Sequence, residues 1–239
     1  MYEKLIKRAE ETGADVVGCD FSFVDSHTFE VGRVVANSRD DQVGVLDTAK
    51  RKSLILDGGS LCVKIYRRER IINDGLFFPE GIFYEDNAIG NSYLVGAEHF
   101  EYVKEPLYYY YQHDTSTVHT ITKERCRDRM AAAVFMLEDA KKRGYYDELK
   151  DEIDYKFIML YYLNTLFSYV RETKHPDRAF VKEIGEGLAS YVPDFRDNKY
   201  YLTRIDAEEK KYTEMQLRSP SRFMLQYRLL WAYRRMRHV

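Results

Sequence analysis

The apolar residues of this 239-residue chain change their period once, near Thr122. Upstream, short β-branched or apolar runs alternate with amphipathic ones, and Gly, Pro and Asp punctuate them. Downstream the spacing is helical almost throughout. A chain that alternates strand and helix must build a sheet with helices laid on it, whereas a purely helical one must pack helix on helix. The sequence therefore predicts two portions of similar size: a mixed α/β portion over 1–120 and an all-α region over 121–239.

In the first portion, Tyr2, Leu5, Ile6 and Ala9 recur at helical spacing over 1–11, and Gly13 stands where a helix-ending glycine belongs. Residues 15–19 read as a short buried strand followed by Phe21 and Phe23, and 24–44 as a hairpin-like excursion. A helix is expected over 45–56, stopped by Asp57-Gly58-Gly59. A strand comes next over 61–66 with Lys64 inside it, then a short helix over 67–73. Residues 77–83 read as a loop and 86–95 as a helix whose acids suit its N-terminus. Two strands, 100–103 and 107–112, are joined by Lys104-Glu105-Pro106. Beyond Thr122, helices are expected over 123–143, 147–173, 177–191 and 208–217. Pro176 is expected at the first position of the third, and Ser219-Pro220 should cap and open a last helix to Arg237.

At 45% hydrophobic and 32% charged residues, the chain can bury a core, which excludes wholesale disorder. Cys19, Cys62 and Cys126 lie far apart, so a disulfide scaffold or a thiolate zinc site is not expected and a reducing compartment fits. No apolar run approaches the roughly 20 residues of a membrane span, and the opening residues carry no signal-peptide pattern. A soluble cytoplasmic protein is the expectation. Residues 1–120 hold 13 Lys+Arg against 20 Asp+Glu, a balance of −7, while 121–239 carry +5. The acidic front half argues against nucleic acid as a partner. Residues 218–239 carry six Arg and no acid. One reading of this basic, aromatic tail is peripheral attachment to the inner face of the plasma membrane. The other is a final helix packed on the body with snorkelling arginines, because on a helical wheel its arginines and apolar groups both fall all round.

Three groups of residues could carry chemistry. Glu85-Asp86-Asn87 comes after the loop Phe78-Pro79-Glu80-Gly81. A carboxylate at a helix N-terminus is held in direction by backbone N–H groups and suits a general base, although the same pair serves equally as a plain helix cap. His113, between Tyr108-Tyr109-Tyr110-Tyr111 and Ser116-Thr117, stands where a strand meets a loop and could reach a metal or a diphosphate; a loop histidine with neither role reads the same way. The tyrosine run itself reads as a strand with two faces. Lys64, with Tyr66-Arg67-Arg68, could meet phosphate or be a solvated edge residue.

Taken in order, Leu61-Cys62-Val63-Lys64-Ile65-Tyr66-Arg67-Arg68, Phe78-Pro79-Glu80-Gly81, Tyr84-Glu85-Asp86-Asn87, Glu105-Pro106-Leu107-Tyr108-Tyr109-Tyr110, then His113 and Ser116-Thr117 resemble the second half of bacterial family 2 glycosyltransferases of the GT-A fold. Met1-Tyr2-Glu3-Lys4-Leu5 and Ala14-Asp15-Val16-Val17 resemble the segment on the C-terminal side of the acidic metal motif in that family. The resemblance covers roughly 1–120 and implies an incomplete GT-A-like, Rossmann-like mixed sheet with helices. It implies inverting transfer from a nucleotide-diphospho-sugar to an acceptor hydroxyl, on a glycan or lipid-linked acceptor, in capsular, exopolysaccharide or cell-wall synthesis, usually with Mg²⁺ or Mn²⁺. Asp86 would be the catalytic base and Glu85 its neighbour. Lys64 and His113 would meet the diphosphate, and His113 the metal.

The family's first half, with its nucleotide-binding strand and Asp-x-Asp motif, has no counterpart among these residues, and Asp40-Asp41 is not a substitute. The sequence reading is therefore a fragment, inactive alone, whose open sheet edges invite self-association. The same gap supports a rival: a non-catalytic interaction or membrane-docking protein derived from such a domain.

Overall fold

Local chemistry sets the start and end of most elements in the computed structural model, which describes residues 1–25, 27–112 and 121–237. Helix α1 (Tyr2–Thr12) stops at Gly13, whose φ of 72° lets its N–H turn back to Ala9. Strand β1 (Val16–Asp25) then runs straight through Phe21 and Phe23, turns, and returns antiparallel as β2 (Val31–Val35). The two-residue β3 (Gly44–Val45) precedes α2 (Thr48–Asp57). Val45 and Leu46 were expected inside that helix. Asp47 prevents it, because its carboxylate caps the Lys50 N–H at 2.9 Å and holds an extended backbone. The strand expected over 61–66 is likewise halved: 61–63 form a tight helical turn, and β4 covers only Lys64–Tyr66. Helix α3 (Arg68–Asn73), helix α4 (Glu85–Val95) and strand β5 (His99–Gln112) complete this portion.

The sheet runs β2-β1-β5-β3, with β1 parallel to β5. Strands β4 and β2 pair antiparallel with successive stretches of β1, at 16–18 and 21–24. Val16 faces Leu54, Leu94 and Phe100 beneath α2 and α4. Val17 and Cys19 face Leu5 and Ala14 beneath α1. Alternation along one strand thus builds two apolar layers, one on each side of the sheet.

The two strands expected at 100–103 and 107–112 are one strand. Against β1, Cys19 pairs with Val103, Asp20 with Pro106 and Phe21 with Tyr108. The extra residues bulge out around Pro106, which has no N–H to give to a ladder. An odd number of inserted residues flips the faces. Tyr102 therefore packs on the α2/α4 side and Tyr108 on the α1 side. The tyrosine run does have two faces: Tyr110 meets Phe21 and Phe23, whereas Tyr111 meets Phe29. Among the described residues β2 pairs only with β1, so it is an open edge, and Val31 and Val34 on it are exposed.

The second portion is entirely helical. It comprises α5 (Lys123–Lys142), α6 (Lys150–Phe157), a π-helical stretch Ile158–Leu163, α7 (Asn164–Glu172), α8 (Arg178–Tyr191), α9 (Lys199–Arg204), α10 (Ala207–Arg218) and α11 (Pro220–Arg237). Pro176 lies one position outside the cap rather than at the first helical position, because Asp177 caps α8 through the Ala179 N–H. Ser219 and Pro220 do open α11, with the Arg222 N–H on the serine hydroxyl. Helix α9 was not anticipated; Asn198 starts it by accepting from Tyr200 and Tyr201.

The fold is thus a mixed α/β sheet followed by an all-helical C-terminal region. The described residues form two compact units, 1–80 with 85–112, and 81–84 with 121–237. Among the described residues no helix is long and apolar enough to cross a membrane.

Candidate functional site

Helix α4 carries the carboxylates singled out from the sequence. Every residue of it over 88–95 is buried, whereas Glu85, Asp86 and Asn87 are exposed. A helix apolar or small on all sides is held from all sides. Tyr93 adds a fixed bond, donating its hydroxyl to the Leu76 carbonyl at 2.7 Å while its ring packs 5.2 Å from Tyr66 and 5.8 Å from Phe78. The first turn is therefore presented to solvent from a rigid base. Asp86 Oδ1 accepts from the Asn87 N–H at 2.8 Å and from Asn87 Nδ2 at 2.7 Å. Among the described residues Oδ2 has no partner. One oxygen fixes the orientation and the other is available to a proton donor.

Tyr84, just ahead of this turn, has φ 68°, a left-handed conformation that costs a bulky residue roughly 1 kcal/mol or more. It belongs to the helical unit. Arg129 holds it there, donating to the tyrosine hydroxyl at 2.8 Å with its guanidinium 4.6 Å from the ring centre. The same guanidinium donates to the Asn164 carbonyl and to Ser168. Nothing in the sequence pointed to Arg129, because its partners are 35 or more positions away.

Lys64 is neither a solvated edge residue nor an open phosphate ligand. It is 5% exposed, and Nζ donates to the carbonyls of Gly58 at 2.7 Å and Ser60 at 2.6 Å. Its stem crosses Gly18, where an added Cβ would lie 3.3 Å from Lys64 Cγ. The 58–60 corner it holds is tied from the other side by Asn37. That residue accepts the Ser60 N–H at 2.7 Å and gives its own N–H to Asp20 Oδ1 at 3.1 Å; Tyr102 also donates to Asp20. Asp20 and Asn37 are buried members of the network that the sequence reading missed. An Asp two residues after a strand's glycine was the available signal.

Burial pushes the Lys64 ammonium down to about 7 from its ordinary 10.5. Below about pH 7 folded and unfolded chains both hold this proton. Between about 7 and 10.5 the unfolded chain keeps it and the folded chain has lost it. Stability contributed by this group therefore rises with pH across that window, at most about 1.4 kcal/mol per pH unit. Urea titrations at successive pH values should show this slope in the parent and lack it in Lys64→Met. Parallel slopes would mean that the lysine is hydrated.

Asp40 and Asp41 are committed elsewhere. Asp40 pairs with Lys104, and hydrogen bonds from Arg39 and then Ser53 hold Asp41 down to about 2. Among the described residues no group of three or more His, Cys, Asp or Glu is placed to hold a metal ion. His113, Ser116 and Thr117 lie outside the described residues.

No family model matches the chain. It is 27% identical over 120 residues to the uncharacterized glycosyltransferase YibD of Escherichia coli (strain K12), a match spanning 48% of this chain and 35% of YibD. The chain is similar to a glycosyltransferase. Among solved structures, S. aureus TarS (1–349) aligns over 91% of this chain and 62% of that one, with TM-score 0.41 and 18% identity.

Proposed function

We propose that this chain provides the acceptor-side, base-bearing part of an inverting glycosyltransferase. It would move a sugar from a nucleotide-diphospho-sugar to an acceptor hydroxyl in the synthesis of a capsular, extracellular or cell-wall polysaccharide. One observation carries the reading: an exposed carboxylate, with one oxygen fixed and one open, rides on a helix buried from Ala88 onward in a chain similar to a glycosyltransferase.

Asp86 Oδ2 takes the proton of the acceptor hydroxyl as that oxygen attacks the anomeric carbon. The bond from that carbon to the diphosphate oxygen breaks, and its electron pair leaves with the nucleoside diphosphate. Attack from the face opposite the leaving group inverts the configuration. In this proposal His113 meets the charge that develops on the diphosphate. Lys64 acts one step back, by fixing the 58–60 corner. The described residues do not form a donor set for Mg²⁺ or Mn²⁺, and they are assigned no metal.

The test uses the full-length polypeptide its gene encodes, a panel of nucleotide-sugars, and glycan or lipid-linked acceptors. NMR of the product should show an anomeric configuration opposite to that of the donor. Retained configuration, or turnover of no donor, overturns the proposal.

A further inference from the structure

Helix α11 has two apolar faces, and among the described residues only one of them is covered. Phe223 and Tyr227 are buried, 5.9 and 5.1 Å from the Phe167 ring, and Tyr212 packs 5.2 Å from Tyr227. Arg234 on this side pairs with Glu208. On the opposite side Leu225, Leu229, Ala232 and Met236 are exposed, Leu225 and Leu229 by 63% and 61%. Their 4-3-4 spacing places them in a single stripe at about 3.6 residues per turn. Arginines border the stripe on both sides: Arg228 and Arg235 along one, Arg222 and Arg237 along the other, all exposed. Among the described residues none of Arg222, Arg228 and Arg235 has a carboxylate partner. On the first side the positive charge continues into a cleft of about 350 Å³ lined by Arg228, Arg235, Lys174, Trp231 and Arg171, the last over the Trp231 ring and paired with Glu172.

We propose that this outer face of α11 lies in the surface of an anionic lipid bilayer, with the Leu225–Leu229–Ala232–Met236 stripe among the acyl chains and the flanking arginines on lipid phosphates. The inference does not rest on the sugar-transfer reading. Charge decides the occupant. A second copy docked on the stripe would bring arginine rows together on both flanks with no acid in the helix to answer them. A bilayer supplies an apolar layer for the leucines and phosphates at the depth the snorkelling arginines reach. It also explains why the wheel of this sequence shows no single apolar side: one face is met by protein and the other by lipid.

Flotation of the full chain with vesicles tests it. Vesicles of equal parts phosphatidylcholine and phosphatidylglycerol should carry the protein, and phosphatidylcholine alone should not. Raising NaCl from about 0.1 M to about 0.5 M should weaken capture, because the screening length shortens to a few Å. Leu225→Glu with Leu229→Glu should lower capture at least about tenfold, and Arg228→Ser or Arg235→Ser about fivefold each. These side chains are exposed, so the thermal midpoint should stay put and report an intact fold. Equal capture by neutral vesicles, no capture by either, or indifference to the glutamates overturns the proposal. So does a lipid-free dimer by light scattering that Leu229→Glu dissolves, which would assign the stripe to a second copy.

Discussion

Asp86→Asn should lower sugar transfer by about two to four orders of magnitude, the usual cost of removing a general base, while leaving donor affinity and stability where they were. The amide keeps the shape of the carboxylate. Its oxygen can still accept from the Asn87 N–H and Nδ2, as Oδ1 does now. What is lost is the oxygen that takes the proton. Because Asp86 is exposed and the buried part of α4 begins at Ala88, the substitution disturbs no packing. Its urea midpoint should match the parent's within about 0.5 kcal/mol. Glu85→Gln, one position earlier on the same exposed turn, should cost less than about tenfold, since it lends charge and takes no proton. Steady-state rates with saturating donor separate the two. Near-parent turnover in Asp86→Asn would remove this residue from the chemistry, and equal losses in both variants would make the effect one of charge rather than proton transfer.

Gly59→Ala should cost about 3 kcal/mol or more of stability, at the high end for a single methyl group. Two penalties coincide at this position. Its φ of 66° is left-handed, which costs an L-residue about 1–2 kcal/mol. The added Cβ would also sit 2.2 Å from the Asn37 carbonyl oxygen and 2.4 Å from its Oδ1, so backbone must move. Moving Asn37 breaks its bonds to Ser60 and Asp20 inside the protein, each worth about 1 kcal/mol or more once buried. Gly75→Ala isolates the first penalty, since φ there is 59° and nothing lies within 4 Å of the added carbon. It should lose about 1–2 kcal/mol only. Chemical denaturation of the two variants side by side gives the difference. If both lose the same amount, the 58–60 corner is not rigidly tied to Asn37, and Lys64 has no fixed scaffold to hold.

Much of the sheet unit was legible because its signals are local. Gly13 ends α1, the acids at Glu85 and Asp86 mark the start of α4, and the apolar run through Val16, Val17 and Cys19 marks a buried strand. The carboxylates of the candidate site were legible for the same reason: acids at a helix start are a local pattern. Lys64 was not, because a lysine inside a β-branched run reads the same whether solvent or a carbonyl meets it. The carbonyls that meet it belong to a corner pinned by Asn37, 27 positions earlier in the chain. The left-handed backbone of Tyr84 was not legible because the group that stabilises it, Arg129, lies well downstream.

The amino-acid order alone determined where the texture changes from strand-and-helix to helix, that α1 ends at Gly13, and that Glu85 and Asp86 open a helix. These depend on capping atoms and side-chain periods within a few residues of each position. Tertiary structure alone decided that 99–112 is one bulged strand, that Lys64 is enclosed, and that α11 buries Phe223 and Tyr227 while leaving Leu225 and Leu229 outside. The physical reason is the same in each case. Strand register, desolvation of a charge and the choice between two apolar faces are set by atoms that come near only when distant segments pack.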